Sequence, residues 1–270
     1  TKLVDILTTI KRVQASYNEN NGSVLPGYLP SVGFAGGLKP TLGYTLGSQA
    51  DIRYEAARQG WLTKFPNFNQ LYTQLRSSKF KISAQLVPLK GLIIDFNADR
   101  DFTENQMENF RIENQDYMPQ NSNILGNFGM STVLLKTTFN SSKSSISQNF
   151  ERFRGFRKII ADRLVENTIF SDLGDDIEGY PLGFGKNQQS VLLHSFVAAY
   201  SGSDPSRMEL SPIKITPLPN WNLKFTGLTE IKSIAKVFQR LTLNHAYRAS
   251  YTLTNFQSNF DYDPTNQNQT

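Results

Sequence analysis

KFKISAQLVPLKGLIIDFNADRDF, residues 79 to 102, is the stretch on which the fold turns. Phe80, Ile82, Ala84 and Leu86 alternate with Lys81, Ser83 and Gln85. After a break at Pro88 to Gly91, Leu92, Ile94, Phe96 and Ala98 alternate with Ile93, Asp95, Asn97 and Asp99. A spacing of two puts each set on one face of a strand. The break is short, so the stretch predicts an antiparallel hairpin, with Asn69 to Ser78 extending its first arm.

A second alternating run lies near the end of the chain. Leu241, Leu243, His245, Tyr247, Ala249, Tyr251 and Leu253 form one face, and Thr242, Asn244, Ala246, Arg248, Ser250, Thr252 and Thr254 form the other. Shorter runs occur at Trp221, Leu223 and Phe225 and from Phe128 to Phe139. Leu3 to Tyr17, rich in Ile, Val and Thr, also reads as a strand.

Between the strands the chain is irregular or helical. Residues 18 to 49 are loaded with Gly and Pro and read as a long insertion. A short helix is predicted from Ser48 to Gly60. Phe150, Phe153, Phe156, Ile160 and Leu164 recur every three or four residues, the mark of an amphipathic helix with Arg and Lys on its other side. A further helix is predicted over Gln188 to Tyr200. The chain thus divides into a strand at 1–17, an insertion at 18–66, strands at 67–139, a helical insertion at 140–218, strands at 219–260 and a polar tail at 261–270. Residue 1 opens inside what reads as an element, so the chain reads as a mature product or an interior piece of something longer.

Composition removes several function classes. Aromatic residues make up 12% of the chain, which excludes disorder of the whole. No run approaches the ~20 apolar residues of a membrane-spanning helix, and mean hydropathy is −0.40. There is no cysteine, so a disulfide scaffold, a thiolate zinc site and a cysteine nucleophile are all excluded. The net charge is +5, but Lys and Arg are scattered, and nothing points to nucleic acid.

The candidate chemistry is thin. His245 falls on the apolar face of a strand, and His194 lies in an apolar helix as a core histidine. Neither belongs to a Ser-His-Asp arrangement. Asp172, Asp175, Asp176 and Glu178 are hard-cation ligand types, but they lack the spacing of a calcium loop and read as a solvated turn. GYPLGFGKN has one residue too many between Gly179 and Gly185 for a phosphate loop, and Asn187 stands where Ser or Thr is required. The Phe- and Arg-rich helix is expected to pack on its own protein. An enzyme would need a convergent acid–base set, and these candidates do not supply one.

The length of the alternating runs is more informative. Ordinary strands have about 5–6 residues, whereas a tilted strand crossing a bilayer needs about 9–11. A soluble β-sandwich shows the same alternation, with one face buried and one wet. Two features favour a membrane barrel: the polar faces carry few Lys and Glu, and the loops alternate very short with very long. The pore-facing candidates are then Lys81, Ser83, Gln85, Asp95, Asn97, Asp99, Thr242, Asn244, Arg248, Ser250 and Thr252. The lipid-facing candidates are Phe80, Ile82, Leu86, Leu92, Ile94, Phe96, Leu241, Leu243, Tyr247, Tyr251 and Leu253.

Six phrases, in this order, resemble one family. They are SYNENNGSVLPGYLPS (Ser16 to Ser31, with Gly22, Pro26 and Gly27), GSQADIRYEAARQGWLT (Gly47 to Thr63, with Gln49 and Trp61), GYPLGFGK (Gly179, Tyr180, Pro181, Gly183 and Gly185), VLLHSFVAAYSGSD (Val191 to Asp204, with Tyr200, Ser201 and Gly202), PLPNWNLKFTGL (Pro217, Pro219, Asn220 and Trp221) and LTLNHAYRASYTLTNFQSN (Leu241 to Asn259). Together they resemble the SprA/Sov family, the giant outer-membrane translocons of the Bacteroidetes type IX secretion system, in a segment towards the C-terminal end. The combination is specific; the single motifs are moderately so.

The resemblance implies a segment of a very large single-chain antiparallel β-barrel, of roughly 36 strands, with long loop and helical insertions. It implies export of folded cargo bearing a C-terminal secretion signal, gliding adhesins among them, with a PorV-type barrel subunit, a plug protein and outer-membrane lipid as partners. It implies no catalysis, no cofactor and no metal. With the turn at Pro88 to Gly91 on the periplasmic side, 18–66 is expected in an extracellular cap over the pore, and 140–218 on the periplasmic or lumenal side. The rival readings are a porin or plugged-transporter fragment and a soluble β-rich adhesin or binding module.

Overall fold

A computed structural model describes residues 9–31, 40–138, 147–166, 174–176, 178–211, 213 and 216–259. The chain is mainly β. Seven strands form one antiparallel sheet: β1 (Ile10–Val24), β2 (Tyr72–Leu89), β3 (Leu92–Glu113), β4 (Asp116–Ser131), β5 (Asn220–Phe225), β6 (Leu243–Tyr247) and β7 (Ser250–Asn259). The order is β1-β2-β3-β4-β7, with β5 pairing both β3 and β6. Among the described residues the sheet is open, not closed into a barrel.

The deciding stretch forms the β2–β3 hairpin. Leu89 faces Leu92 across the two-residue turn Lys90–Gly91. Gly91 has φ +79°, and a Cβ there would stand 2.8 Å from the backbone N of Gly227. Both the backbone sense and the crowding therefore require glycine. A second two-residue turn, Asn114–Gln115, joins β3 to β4 with φ of +50° and +68°. That pair of left-handed residues matches the right-handed twist of the flanking strands.

Several element boundaries differ from the sequence reading. β1 continues past Tyr17 to Val24, in unbroken register with β2 down to Val24↔Thr73. Asn18 to Ser23 have poor strand propensity, but each sits opposite a β2 residue whose ladder bonds hold it extended. The irregular insertion therefore begins at residue 25. β4 begins at Asp116, because the Asn114–Gln115 turn lacks the glycine that marks such turns in sequence. It ends at Ser131, and Leu135–Thr138 is a short helix where a strand was expected. Residues 1–8, 139–146 and 261–270 lie outside the described residues.

The run from 241 to 254 is two strands. Leu241 and Thr242 precede β6, and Arg248 and Ala249 interrupt the ladder. Hydrogen bonds made by the interrupting backbone explain the break. Ala249 N–H donates to Asn220 Oδ1 at 2.9 Å, and Ala249 O accepts from Thr132 N–H at 3.0 Å.

The interruption faces another. β4 pairs with β3 only from Arg100 onward. β5 takes the remaining stretch of β3, its end fixed by Thr226 N–H donating to Gly91 O at 2.8 Å. β4 and β5 have 16 and 6 residues against the 22 of β3. They are one strand position along β3, interrupted by residues 132–219. The ends of that insertion meet where Leu218 N–H donates to Ser131 O at 3.1 Å.

The chain divides into two compact units, the sheet unit (1–130, 221–245 and 251–260) and a unit formed by 131–220 with 246–250 and the tail. In the second unit, α3 (Leu135–Thr138), α4 (Gln148–Glu166) and α5 (Gln189–Ser201) carry the packing. Its core is Ala161, Phe184 and Val191, flanked by Leu164, Val165 and Tyr180. The phenylalanine stripe of α4 is not this core. Phe150 is exposed, and Phe150, Phe153, Phe196 and Tyr200 make successive ring contacts at 5.8, 6.3 and 4.3 Å. Ile160 and Ala161 carry the burial of α4 instead.

Candidate functional site

Register decides which side chains share a face. In an antiparallel pair, directly opposed residues point the same way. Phe80 faces Arg100, Ile82 faces Ala98, Ala84 faces Phe96 and Leu86 faces Ile94. On β1, Tyr17, Ala15 and Val13 lie opposite Phe80, Ile82 and Ala84. The lipid-facing candidates of β2 and β3 therefore form one continuous apolar face with three side chains of β1.

The pore-facing candidates form the other face. Lys81 lies opposite Asp99 and Ser16, Ser83 opposite Asn97 and Gln14, and Gln85 opposite Asp95 and Arg12. Two charge pairs are opposed here, Lys79 with Asp101 at 3.4 Å and Lys81 with Asp99 in register, while the neutral Gln85 Nε2 donates to Asp95 Oδ1 at 2.8 Å. A groove of about 630 Å³, lined by Gln14, Ser16, Lys81, Ser83, Asn97 and Asp99, hollows this polar face.

The later candidates are distributed differently. Leu243 and Asn244 are exposed on β6, and Trp221 of β5 meets the His245 ring at 6.5 Å. Tyr251 meets Phe128 at 5.9 Å, and Ser250, Thr252 and Leu253 lie on β7. Tyr247 belongs to the second unit, where its hydroxyl accepts from Leu134 N–H at 2.6 Å. Leu241, Thr242 and Arg248 lie outside the strands.

The apolar face changes character along β2 and β3. Beyond Phe80 it turns polar on β2 through Ser78, Arg76 and Gln74; on β3 Phe102 comes first, opposite Ser78, and Glu104 and Gln106 follow. It ends in aromatic rows at Tyr72, Phe110, Ile112 and Tyr117. Those rows are covered by residues within 25–31 and 40–68, which include α1 (Leu42–Thr45) and α2 (Arg53–Arg58). Ala56, Ala57 and Leu62 are buried there with Tyr72, Phe110 and Tyr117, and Leu25, Tyr28, Trp61 and Phe68 pack around them.

At the centre of this cover is Glu108, only 2% exposed. Its carboxylate accepts from Arg53, from the Tyr117 hydroxyl at 2.7 Å and from Ser122 Oγ at 2.9 Å. Arg53 also binds Asp51 through two hydrogen bonds, at 2.9 and 2.8 Å. Its guanidinium lies 4.7 Å from the centre of the Tyr72 ring. Burial opposes the charge on Arg53, but the Asp51 and Glu108 carboxylates outweigh it and raise its pKa. The hydrogen bond from Arg53 in turn holds the Asp51 carboxyl below its usual range.

The motif residues are mostly structural in role. Gly22 is in β1 opposite Leu75. Gly27 has φ +72°, and a Cβ there would meet Thr63 and Phe68 at 2.7 and 2.8 Å. Trp61 packs on Tyr28 at 6.3 Å, beside partly buried Pro26, and the Gln49 amide binds Gly47 O at 2.9 Å.

In the second unit, Gly179 to Gly185 form a loop folded on itself. Asp176 Oδ1 accepts from the backbones of Glu178 and Tyr180 at 2.8 and 2.9 Å, and Pro181 is buried. Gly183 has a positive φ. Lys186 pairs with Glu178 at 2.5 Å. Among the described residues no acidic group is arranged to hold a metal ion; Asp172 lies outside them. Tyr200 O accepts from Thr137 Oγ1, Ser201 Oγ lies 2.7 Å from Ser203 Oγ, and left-handed Gly202 ends α5. Pro217 and Pro219 flank Leu218 at the neck of the insertion. His194 is buried with Nδ1 2.6 Å from Ser190 O, and its Nε2 has no hydrogen-bond partner among the described residues.

Arg53 and Glu108 were not legible in the sequence. Glu108 alternates with Asn109 and Met107 in a polar stretch, and nothing in its spacing points to a helix far upstream. Compared with protein-family models and with curated proteins, the chain finds no match.

Proposed function

We propose that this chain is a wall segment of an outer-membrane protein-conducting channel, the translocon of a type IX secretion system. In this reading the apolar face of β1–β3 meets lipid. The polar face lines a water-filled pore through which folded cargo, gliding adhesins included, reaches the cell surface. The observation that carries it is the register: over strands of 15, 18 and 22 residues it keeps the two candidate sets on opposite faces.

Three further features support it. A strand needs about 9–11 residues to cross a bilayer at a tilt, and these exceed that. The polar face is grooved, and Lys79 and Lys81 are opposed by Asp101 and Asp99, so it offers cargo a wet surface with little net attraction. β1 and β7 each pair on one side only among the described residues, as strands continuing into a larger barrel would. The implied partners are the rest of the translocon chain, a PorV-type barrel subunit, a plug protein and cargo with a C-terminal secretion signal. The chain serves transport, and no catalytic step or cofactor is assigned to it. Residues 140–218 belong to an aqueous compartment, periplasmic or lumenal, because hydrocarbon does not accept irregular backbone.

The test uses single cysteines at Ile82 and Ser83 of the full-length parent chain in its native membrane. A lipid-soluble maleimide is expected to label position 82 and a water-soluble one position 83. Equal labelling of both from water would overturn the membrane reading and leave a soluble β-rich module.

A further inference from the structure

We infer that residues 25–31 and 40–68 form a collar on the outside of the channel wall, beyond the membrane, and do not cap the pore. This rests on the reading of the sheet as a pore wall. The reasoning is one of parity. β2 runs from Tyr72 to Leu86 in unbroken register with β3, from Glu108 to Ile94, so Tyr72 and Glu108 point to the same side as Leu86 and Ile94. The residues buried beneath 25–31 and 40–68 are therefore on the lipid-facing side, and the grooved polar face lies on the other.

The rows between give the spacing. On β1 and β2 the apolar zone ends at Tyr17 and Phe80, where a tyrosine suits the edge of a membrane; on β3 Phe102, opposite Ser78, extends it by one row. The covered zone begins at Tyr72 and Glu108, eight positions further along β2, which is about 26 Å at ~3.3 Å per residue. Beyond the Ser78–Phe102 row, the polar rows Arg76–Glu104 and Gln74–Gln106 fill the gap. The wall thus stands clear of the bilayer there, and aromatic side chains on its outer face would meet water. The collar removes them from it, and the Arg53–Glu108 pair fastens it.

The experiment compares two single cysteines in the full-length chain reconstituted in a planar bilayer, each modified with a polyethylene-glycol maleimide. One is at Ser83, in the groove. The other is at Leu46, which is 77% exposed on the segment itself. The expected result is that modification at 83 lowers conductance at least two-fold and modification at 46 leaves it unchanged. A comparable fall at 46 would place the segment over the pore and overturn the collar while the wall stands. No effect at 83 would overturn the wall assignment and the collar with it. A variant with 41–62 replaced by a short Gly-Ser linker gives a second measure: conductance unchanged supports the collar, and a ten-fold rise overturns it.

Discussion

Arg53 reaches Glu108 from 55 residues earlier in the chain, and the carboxylate it meets is almost wholly buried. Arg53 is also held by Asp51, and Glu108 by Tyr117 and Ser122. Removing one leaves a buried charge without its counterion, a change that costs about 3–5 kcal/mol. Arg53→Met in the full-length chain is expected to loosen the cover before the sheet. Trypsin cleavage at exposed Arg58 and Lys64 should then accelerate strongly, with cleavage elsewhere unchanged. Arg53→Lys, which keeps the charge but cannot bridge two carboxylates in the same way, should fall between. Unchanged cleavage in Arg53→Met would show that the cover is held by its apolar contacts alone.

The same cluster gives a pH dependence. Arg53 depresses the Asp51 carboxyl below its usual range. A depressed carboxylate stabilises the fold at pH above its ordinary value and loses that contribution as pH falls through the lowered one. Asp51→Asn is therefore expected to be less stable than the parent chain at neutral pH. The difference should close as pH drops below about 4. Thermal melting of both proteins from pH 7 to 3 checks this. A constant difference over that range would remove Asp51 titration from the account.

What the sequence carried was the hairpin, because period-two alternation with a Pro–Gly break has few other meanings. Its two candidate faces fall on two faces of the sheet for the same reason, since register follows from the turn. The β3–β4 hairpin was less legible: Asn114–Gln115 is unusual turn chemistry, and between Thr103 and Asn123 the apolar residues are few and keep no unbroken period of two. The break at Arg248 and Ala249 was invisible, because the hydrogen bonds that cause it come from Asn220 and Thr132. The stripe of α4 was legible in part: Ile160 is buried and Leu164 packs on the core as the spacing implies, whereas Phe150 is exposed, since phenylalanine marks a stripe in sequence whether or not another element arrives to cover it.

Gly126 has a packing reason that alternation does not reveal. A Cβ there would stand 2.6 Å from Thr103 O and 2.7 Å from Phe256 Cε1, because the Phe256 ring lies over this position and stacks with Phe102 at 6.4 Å. Gly126→Ala is expected to destabilise the sheet by about 1–3 kcal/mol. Adding Phe256→Ala should recover only part of the loss, because the Thr103 carbonyl cannot move away. Full recovery in the double variant, measured by chemical denaturation, would place the whole strain on the ring.

Gln115 is a non-glycine residue at φ +68° in a two-residue hairpin turn. A left-handed conformation costs an ordinary residue roughly 1–2 kcal/mol. Gln115→Gly is expected to raise the melting temperature, offset in part by the freedom glycine gains when unfolded. A lower melting temperature would mean that the Gln115 side chain makes a stabilising contact that outweighs the backbone cost.

The interrupted strand has a kinetic consequence. β5 can take its place on β3 only after the chain between Ser131 and Asn220 has closed on itself. For a flexible loop of about 90 residues that closure costs about 4 kcal/mol of entropy, more than a six-residue strand readily recovers. An insertion that has already folded presents its two ends a hydrogen bond apart, so the cost falls inside the helical unit, where contacts are short in sequence and form early. The order of assembly follows: α4 and α5 before β5, with the last part of β3 waiting for its neighbour. Pulsed hydrogen exchange would show it as protection at Leu192 and Phe196 preceding protection at Leu223.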